Sequence, residues 1–388
     1  MLSRRAQREP PFAGRGTRRG TAALPTLLGN HQSPMKGVAV LIQGQETLLP
    51  TTMVGSYPRP NWLRGKVFGE FDEPDYIDYQ AKEAYSDAVR LCVDDQIRAG
   101  IDVICDGQQY YESETNHEYG QVFHFWGHHL SGFTRWGDPI AIELYKKFHA
   151  PAVVGDIEWV RSVYGPTIEE TRAAAGTRPI KLAVQGPLFL AFACTDRHYG
   201  EVKPLAMAIA KAFNAEFKDM VRRGVDSIQV HEPLTYYGEE PWYIEVLNEA
   251  FAGVEAHRIW HICYGNQGGN PGVSAPRGQD MFPFAFDADV DEIHIETMRR
   301  GPGDLQHFKD LPAHMSLGVG VIDVKSLVIE DPEDIAARLL LAAEHVPAER
   351  IAVSTDCGLL NLKREHASRK LAALVEGTRI ARERLSKA

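Results

Sequence analysis

The sequence predicts an α/β fold, a (β/α)8 TIM barrel with a long insertion after its second strand. Two observations lead to this prediction: short apolar segments alternate with longer segments of helical periodicity, and eight such apolar segments follow residue 50. Near-continuous apolar strands that alternate with helices indicate a parallel sheet buried on both faces. Eight units are what a closed barrel requires. An open doubly wound sheet is the second choice, because no Gly-rich dinucleotide turn follows the first strand.

The predicted elements repeat this alternation along the chain. The strands are 51–55, 101–105, 180–185, 227–231, 259–263, 291–296, 316–321 and 351–354. The helices are 78–99, 203–223, 242–256, 332–345 and 365–386, where apolar residues recur near 3.6-residue spacing. The longest break, 107–178, contains an aromatic and His-rich stretch over 117–136. It is interpreted either as packing on the barrel rim or on a second subunit, or as a lid over an active site.

The composition of the chain argues against several classes of protein. The chain has 42 Lys and Arg against 52 Asp and Glu, a formal net charge of −10, which argues against a nucleic-acid binder. No apolar run approaches the roughly 20 residues that cross a bilayer. Five cysteines, an odd number, do not describe a disulfide framework. We therefore expect a reduced, cytoplasmic protein that acts without nucleic acid or membrane.

The amino-terminal segment differs in charge from the rest of the chain. It lacks helical or strand periodicity, and its first 35 residues carry one acid and six arginines: Arg4, Arg5, Arg8, Arg15, Arg18 and Arg19. We interpret 1–45 as a disordered basic tail and 46–388 as the barrel domain. An over-extended start upstream of Met35 and a targeting peptide are the alternatives.

Potential metal ligands collect at the predicted strand ends, where barrel active sites form. His261 and Cys263 are two apart in one strand, so their side chains face the same side. Glu296 ends the sixth predicted strand, and Cys357 follows the eighth. One imidazole, two thiolates and one carboxylate suit tetrahedral zinc, whereas magnesium and calcium prefer oxygen ligands. The expected cofactor is therefore Zn²⁺.

This ligand set predicts a class of reaction. A zinc ion with two thiolate ligands can bind a further thiol, whose pKa falls on coordination so that it is held as a thiolate. A thiolate is a good nucleophile toward an sp³ carbon that carries a leaving group. The absence of an HExxH motif argues against a metalloprotease. Alkyl transfer to sulfur is the expected chemistry.

The sequence resembles the cobalamin-independent methionine synthase family, in its short single-barrel branch. The shared segments are TTMVGSYPRP (51–60), QGP (185–187), HEP (231–233), HICYG (261–265), IHIETMRRG (293–301), GVIDVKS (320–326) and STDCG (354–358). The resemblance implies a catalytic zinc on His261, Cys263, Glu296 and Cys357. It also implies that 46–388 is a methyltransferase domain, which moves a methyl group from 5-methyltetrahydrofolate or another donor to homocysteine.

The resemblance assigns further site residues. Glu232 matches a residue that orients a substrate or a ligand, and Lys325 stands where the long enzymes have a histidine that assists proton transfer. Both are candidate catalytic residues. The segment that holds the substrate's carboxylate is matched by Val54, Gly55 and Ser56.

Two of the predicted substrate-binding residues depart from the family pattern. Gln108 and His231 stand where members that bind homocysteine carry acids, which would face the ammonium group of the substrate. Each lost ion-paired hydrogen bond corresponds to about 1.5–3 kcal/mol of binding. A role for His231 in the scaffold alone is the competing interpretation.

Three functions therefore compete. The first is zinc-dependent methyl transfer to a thiol, with homocysteine as the default acceptor. The second resembles epoxyalkane:coenzyme M transferases, in which a zinc-bound thiolate opens an epoxide, and the loss of both acids suits a thiol without an amine. The third is a non-catalytic zinc-binding protein, although a carboxylate ligand at a barrel mouth is more typical of an exchangeable site. The expected partners are a small-molecule thiol and a methyl donor, with an accessory protein or a second copy of the chain left open.

Overall fold

The protein is a mixed α/β structure built around a curled sheet of seven parallel strands. The computed structural model describes residues 41–42, 45–63, 79–110, 125–127, 129–134, 137–142, 146–233, 240–264, 278–298 and 301–387. The strands are β1 (Ile104–Cys105), β2 (Ile180–Gln185), β3 (Ser227–His231), β4 (His257–Ile262), β5 (Glu292–Glu296), β6 (Ser316–Gly320) and β7 (Ile351–Ser354). Their spatial order is β7-β6-β5-β4-β3-β2-β1, and each neighbouring pair is parallel. Such a sheet is consistent with a TIM-like barrel.

The first predicted strand, 51–55, is reduced to a single parallel bridge between Thr51 and Val353. The Thr51 carbonyl also accepts a hydrogen bond from the Val103 amide, at 3.0 Å. This segment therefore contacts both edges of the sheet. The Thr52 amide still donates to the Val353 carbonyl at 2.9 Å, but at Val54 side chains replace backbone partners: its amide donates to Oγ1 of Thr355 at 3.1 Å, and its carbonyl accepts from Nε2 of Gln229 at 2.8 Å. That substitution is why no regular strand continues to residue 55.

The other seven predicted strands all lie in the sheet. Those predicted at 180–185, 227–231 and 351–354 have the same bounds in the structure, and the others differ at their ends. The strand predicted over 101–105 shortens to β1, because its first residues form a bend after α1. The prediction was accurate where an apolar run was continuous, since a strand buried on both faces needs apolar residues at every position.

Helices separate most of the strands. They are α1 (Tyr79–Ala99), α2 (Gly165–Ala175), α3 (Pro187–Ala193), α4 (Val202–Arg222), α5 (Pro241–Phe251), α6 (Gly278–Ala285), α7 (Pro332–Ala343) and α8 (Arg364–Leu385). The five predicted helices correspond to α1, α4, α5, α7 and α8. The helix predicted over 242–256 ends early at Phe251, and Gly253 lies at φ +64° just beyond it. A left-handed residue ends a helix, and glycine adopts that conformation without strain.

The region between β1 and β2 is described only in part. Phe133–Thr134 pairs with Ala152–Val153, which pairs in turn with Thr195–Asp196 after α3. The buried Trp126 indole stacks on Phe213 of α4, with ring centroids 3.9 Å apart. This part of the aromatic stretch thus packs on a helix. Residues 111–124, 128 and 135–136 lie outside the described ranges. They include much of the 117–136 stretch for which a lid is one of the interpretations.

The predicted tail lies almost wholly outside the described ranges, which begin at residue 41. Leu41–Ile42 and Gln45–Glu46 form a short antiparallel pair at the predicted boundary of the barrel domain. Among the helices that the structure describes, none combines the length and the apolar character that spanning a membrane requires.

Candidate metal centre

The carboxyl ends of β4, β5 and β7 bring the four predicted metal ligands together. His261 lies next to the end of β4 and Cys263 follows it, Glu296 is the last residue of β5, and Cys357 lies three residues beyond β7. One donor atom each from Cys263, Glu296 and Cys357 lie within 4.8 Å of one another, and so do donor atoms of His231, His261 and Cys263. Cys263 therefore belongs to both groups, which together contain five potential donors.

The two cysteines have a spacing that suits zinc. Their sulfurs are 3.9 Å apart. Two thiolates bound to one tetrahedral zinc, each at about 2.3 Å, lie about 3.8 Å from each other. A hydrogen bond from the Cys263 thiol lowers the pKa of Cys357 and raises the pKa of Cys263, and burial raises the latter further. A bound cation would displace the proton of this hydrogen bond.

His261 carries an unpartnered nitrogen at this centre. Its side chain is buried, and its Nδ1 lies 2.6 Å from Nδ1 of His294. Its Nε2 is buried with no hydrogen-bond partner in the described ranges. Burial, with a contribution from the nearby imidazoles, lowers the pKa of His261 well below its ordinary value, so the ring is neutral at pH 7. A neutral imidazole with a free lone pair is what a metal ligand provides.

His294 was missed by the sequence interpretation. It lies two residues before Glu296 on β5, so both side chains face the same side of the sheet. That alternation was the available signal, but an isolated histidine in an apolar strand does not by itself indicate a role. In the structure it fixes the orientation of the His261 ring.

Glu296 is held from two directions. One carboxylate oxygen accepts from the Tyr264 amide at 3.2 Å, and the other lies 2.8 Å from Nζ of Lys325. Burial would lower the pKa of Lys325, but the charges of Glu296 and the two cysteines outweigh it and raise that pKa. Lys325, predicted to assist proton transfer, is therefore a protonated ammonium in contact with a predicted metal ligand.

His231 lies beside the donors as the last residue of β3. Its ring centroid is 5.1 Å from that of His261, and Phe189 packs edge-on against it at 5.6 Å. Burial, with a smaller effect of Lys325, lowers the pKa of His231 to about 4. At neutral pH it carries no charge, so it cannot replace the acid that would pair with an ammonium group.

Gln108 is also uncharged and is firmly held. It adopts φ +54°, its Nε2 donates to the Ala183 carbonyl at 2.8 Å, and its backbone amide donates to Asp106 at 3.0 Å. A methyl group placed on Gly55 would lie 3.3 Å from the Gln108 amide nitrogen. Two predicted substrate-binding residues therefore adjoin each other at this point.

The segment Val54–Ser56 lies against the loop that carries Cys357. The Ser56 carbonyl accepts from the Leu359 amide at 2.8 Å, and a methyl group on Gly358 would meet the Ser56 hydroxyl at 1.9 Å. A side chain at position 358 would therefore have to displace the Ser56 hydroxyl. The predicted carboxylate-binding segment is thus next to the metal ligands.

Glu232, the other candidate catalytic residue, caps a helix. Its buried carboxyl group accepts from the amides of Leu188 at 2.7 Å and Phe189 at 3.1 Å, in the first turn of α3. Burial raises the pKa of Glu232 to about 8. These contacts give Glu232 a positioning role at the QGP turn.

The remaining cysteines, Cys92, Cys105 and Cys194, belong to no candidate donor group within the described ranges. Cys92 and Cys105 are buried in the hydrophobic core. Burial raises the pKa of Cys105 to about 12, which makes it a poor nucleophile and a poor ligand at pH 7.

Known proteins resemble this chain in sequence and in fold. The family described as the catalytic domain of the cobalamin-independent synthases matches residues 49–379. A 2-hydroxypropyl-CoM lyase from Xanthobacter autotrophicus is 33% identical over 381 residues, covering 90% of this chain and 99% of that protein. A methionine synthase from Saccharolobus solfataricus is 31% identical over 346 residues, covering 88% of this chain and 97% of that protein.

A solved structure agrees with these relatives. A B12-independent methionine synthase from Shewanella sp. W3-18-1, in complex with selenomethionine, superposes with a TM-score of 0.77 at 28% identity, covering 88% of this chain and all of that one. The resemblance inferred from the strand-end motifs is confirmed. The chain belongs to the family of the cobalamin-independent methionine synthase catalytic domain.

Proposed function

We propose that the protein is a zinc-dependent enzyme that transfers a methyl group to a small thiol, with the conversion of homocysteine to methionine as the reaction that its family favours. The observation that carries this proposal is the cluster of two cysteines, one histidine with an orphaned Nε2 and one glutamate at the strand ends. The relatives named methionine synthase support the same activity. In this proposal the segment at Thr51 is the first strand of a complete (β/α)8 barrel.

The donor set fits zinc on the observations of this structure. The proposed ligands are His261, Cys263, Glu296 and Cys357, whose sulfurs have the separation that a tetrahedral ion requires. Zinc bound there would lower the pKa of a coordinated thiol and keep it as a nucleophilic thiolate.

The protein's own residues would bind and orient the substrates. We propose that the small-molecule thiol lies between the metal and the wall formed by Val54, Gly55, Ser56, Gln108, His231 and Glu232. The Lys325 ammonium supplies the one full positive charge in contact with the ligand cluster, among the residues that the structure describes. It can donate a hydrogen bond to a group that becomes negative during transfer.

A second reaction is favoured by the charge of this wall. Gln108 is uncharged, His231 is neutral at pH 7, and Lys325 is cationic, so the two positions that carry acids in homocysteine-binding members present no negative charge to a thiol with an anionic tail. The relative named 2-hydroxypropyl-CoM lyase supports this candidate. In such a reaction the thiolate sulfur forms a bond to an epoxide carbon, the ring C–O bond breaks, and the resulting alkoxide takes up one proton.

A panel of thiols and donors separates the two reactions. Homocysteine and mercaptoethanesulfonate are titrated calorimetrically into the zinc-loaded protein. Each thiol is then incubated with 5-methyltetrahydrofolate, methylcobalamin or epoxypropane, and products are identified by mass spectrometry. Methionine formation with tighter homocysteine binding supports methyl transfer. A hydroxyalkyl thioether with tighter sulfonate binding selects the second reaction, and failure of both thiols to bind leaves only a non-catalytic zinc protein.

The cysteines provide the matching mutational test. We expect Cys263→Ser and Cys357→Ser each to lower zinc affinity and activity by at least about 100-fold, because a hydroxyl is a far weaker zinc ligand than a thiolate. Cys194→Ser, which lies outside the cluster, should retain both. Full zinc occupancy and turnover in the two cluster variants would contradict the proposed role.

A further inference from the structure

A buried lysine of β2 lies outside the metal cluster. Lys181 is 1% exposed, although barrel interiors are normally filled by branched apolar side chains. Ala183, two residues further along β2, is in register with Gln229 of β3. Side chains two residues apart in a strand share a face, so Lys181 lies on the same face of the sheet as Gln229 and His231. It therefore faces the same side as the metal cluster.

Lys181 and Gln229 together hold two successive carbonyl groups. Nζ of Lys181 donates to the Met53 carbonyl at 2.7 Å and to Oε1 of Gln229 at 2.8 Å. Nε2 of Gln229 in turn donates to the Val54 carbonyl at 2.8 Å. Burial lowers the pKa of Lys181 to about 8, so at pH 7 the amine is mostly present as the ammonium. These contacts fix how the peptides after Met53 are turned.

The amide groups of the same peptides point the other way. The described peptide bonds are all trans, and in a trans peptide the carbonyl and the following N–H point in opposite directions. The Gly55 amide therefore faces away from Gln229, which holds the Val54 carbonyl. Likewise the Ser56 amide faces away from Cys105, whose Sγ donates to the Gly55 carbonyl at 3.5 Å. Neither amide donates to an acceptor within the described ranges.

Thr355 attaches the segment to a predicted metal ligand. The Val54 amide donates to Oγ1 of Thr355 at 3.1 Å, and that hydroxyl donates to the Cys357 carbonyl at 2.7 Å. Neither bond involves Lys181, so the loop that carries Cys357 keeps this attachment when the lysine is replaced. Thr355 thus sets where the segment lies relative to the metal cluster, whereas Lys181 and Gln229 set the orientation of its peptides.

We propose that Lys181 is a positioning residue for the anionic end of the thiol substrate. With Gln229 it turns the peptides after Val54 so that two backbone amides face a carboxylate or a sulfonate. The ammonium also places a positive charge behind these peptides, where the buried surroundings screen its attraction for an anion only weakly. The inference rests on the proposed function and adds to it a residue that touches neither the metal nor the substrate. Both candidate thiols carry an anionic group, so it holds for either reaction.

Thiols that differ in charge test this role on the zinc-loaded protein. Homocysteine, mercaptoethanesulfonate and the uncharged 2-mercaptoethanol are titrated calorimetrically into the wild type and Lys181→Met. We expect the variant to bind the anionic thiol that the wild type prefers at least about 10-fold more weakly, and to bind 2-mercaptoethanol as the wild type does. An equal loss for both kinds of thiol, or no loss, overturns the inference. So does a wild type that binds 2-mercaptoethanol but neither anionic thiol.

Two further variants separate positioning from a loss of stability. Gln229→Met removes the bond to the Val54 carbonyl without removing a charge and should show the same selective loss, which keeps the test available if Lys181→Met does not fold. Arg350→Met is the matched control, because Arg350 also donates to a backbone carbonyl, that of Met315 at 2.8 Å, but lies directly before β7 at the amino end of that strand. It should bind all three thiols as the wild type does. Weaker binding of the anionic thiol in Arg350→Met would assign the effect to stability and overturn the inference.

Steady-state kinetics give a second readout. With the donor that supports turnover, Lys181→Met should raise KM for the thiol by the factor found in calorimetry and keep kcat within about 2-fold of the wild type, since the lost binding is shared by the ground state and the transition state. Its zinc content should equal that of the wild type, because the Thr355 attachment is intact. A fall in kcat at unchanged KM overturns the inference. A wild type that binds no zinc or no thiol overturns the proposed function with it.

Discussion

At the scale of single residues, the hydrogen bond between His261 and His294 is the contact that would prepare the proposed site for a metal. If Nε2 of His261 binds the ion, its Nδ1 carries the proton and donates to Nδ1 of His294. The second imidazole thus selects the tautomer and holds the ring in place. Partners of this kind are normally carboxylates or carbonyls, and in the proposed site a buried neutral ring would perform the same function.

This contact gives a direct prediction. We expect His294→Leu to weaken zinc binding about 10- to 100-fold, because the His261 ring loses its acceptor. His294→Gln should lose less, since an amide oxygen can accept the same proton. Chelator competition measures both variants, and circular dichroism checks that they fold. Equal affinities for wild type and His294→Leu would show that the pair has no part in metal binding.

Asp106 predicts a pH dependence of stability. Burial raises the pKa of Asp106 to about 6, against the ordinary 3.8, although the Gln108 amide and the Thr167 hydroxyl donate to it. Because the folded protein holds this proton more tightly than the unfolded chain, the stability from this group is complete below pH 4. It is lost as pH rises through about 6, by about 3 kcal/mol in all.

Asp106→Asn removes that titration while it keeps a side chain of the same shape. The free energy of unfolding of the variant, minus that of the wild type, should therefore increase between pH 4 and pH 7 and then stay level. Urea denaturation at a series of pH values measures this difference. A difference that is constant or that falls over this range would show that Asp106 ionises normally in the folded protein.

The strand-end motifs predicted four potential ligands but not the contacts of their neighbours. The proximity of His261, Cys263, Glu296 and Cys357 could be expected because each stands at a recognisable strand end, and their role as ligands stays a prediction. The Lys325–Glu296 ion pair could not, since it depends on how the loop after β6 folds back over β5. The capping role of Glu232 was missed for the same reason: it needs the position of α3, which no local pattern specifies.

At the scale of elements, the β2–α3 turn depends on space at Gly186. A methyl group on Gly186 would lie 1.9 Å from a carboxylate oxygen of Glu232, which is the oxygen that caps α3. The glycine has φ −79°, an ordinary value for any residue. Glycine is therefore required at this position for space and not for its backbone conformation. The missing side chain keeps Glu232 within hydrogen-bond reach of the helix amides.

Gly186→Ala should destabilise the protein by about 1–3 kcal/mol, because the added methyl group forces the Glu232 side chain away from the helix. Gly303→Ala is the matched control, since its methyl group would meet nothing within 4 Å. Urea denaturation gives the change in the free energy of unfolding for both variants. Equal stabilities of the two would mean that the turn relaxes without cost.

Regular strands and helices were more predictable than the Thr51 segment, which contacts both edges of the sheet. Strands such as β2 and β3 are continuous apolar runs, and helices such as α4 have a clear buried face, so local sequence specifies them. The segment after Thr51 is held by hydroxyl groups of Thr52 and Thr355, from opposite ends of the chain. Long-range contacts of this kind leave no periodic signal in the sequence.

At the scale of the whole molecule, Arg382 of α8 ties the end of the chain to the segment before Thr51. Its guanidinium donates to the carbonyls of Leu48 at 2.7 Å and Leu49 at 3.0 Å, and to Asp102 at 2.8 Å. Asp102 in turn accepts from the amide and hydroxyl of Thr51, each at 2.9 Å. This network holds the Thr51 segment against both edges of the sheet.

Arg382→Ala should therefore lower the free energy of unfolding by about 1–3 kcal/mol, because it removes three charge-assisted hydrogen bonds from a partly buried site. Arg379→Ala, on the exposed face of the same helix, should have no measurable effect, since its partners Glu376 and Glu383 are solvated. Thermal and urea denaturation of both variants test the comparison. A loss of equal size in the two would locate the effect in the helix itself.

The proposed function requires that a thiol substrate bind directly to a metal held at the carboxyl ends of the strands. Cobalt(II) in place of zinc makes this visible, because each thiolate ligand adds sulfur-to-metal charge-transfer absorption. Titration of the cobalt-substituted protein with homocysteine and mercaptoethanesulfonate is the most direct measurement. We predict that one of these thiols increases the charge-transfer band by about half, as sulfur ligands rise from two to three. A spectrum that neither thiol changes would contradict the central claim.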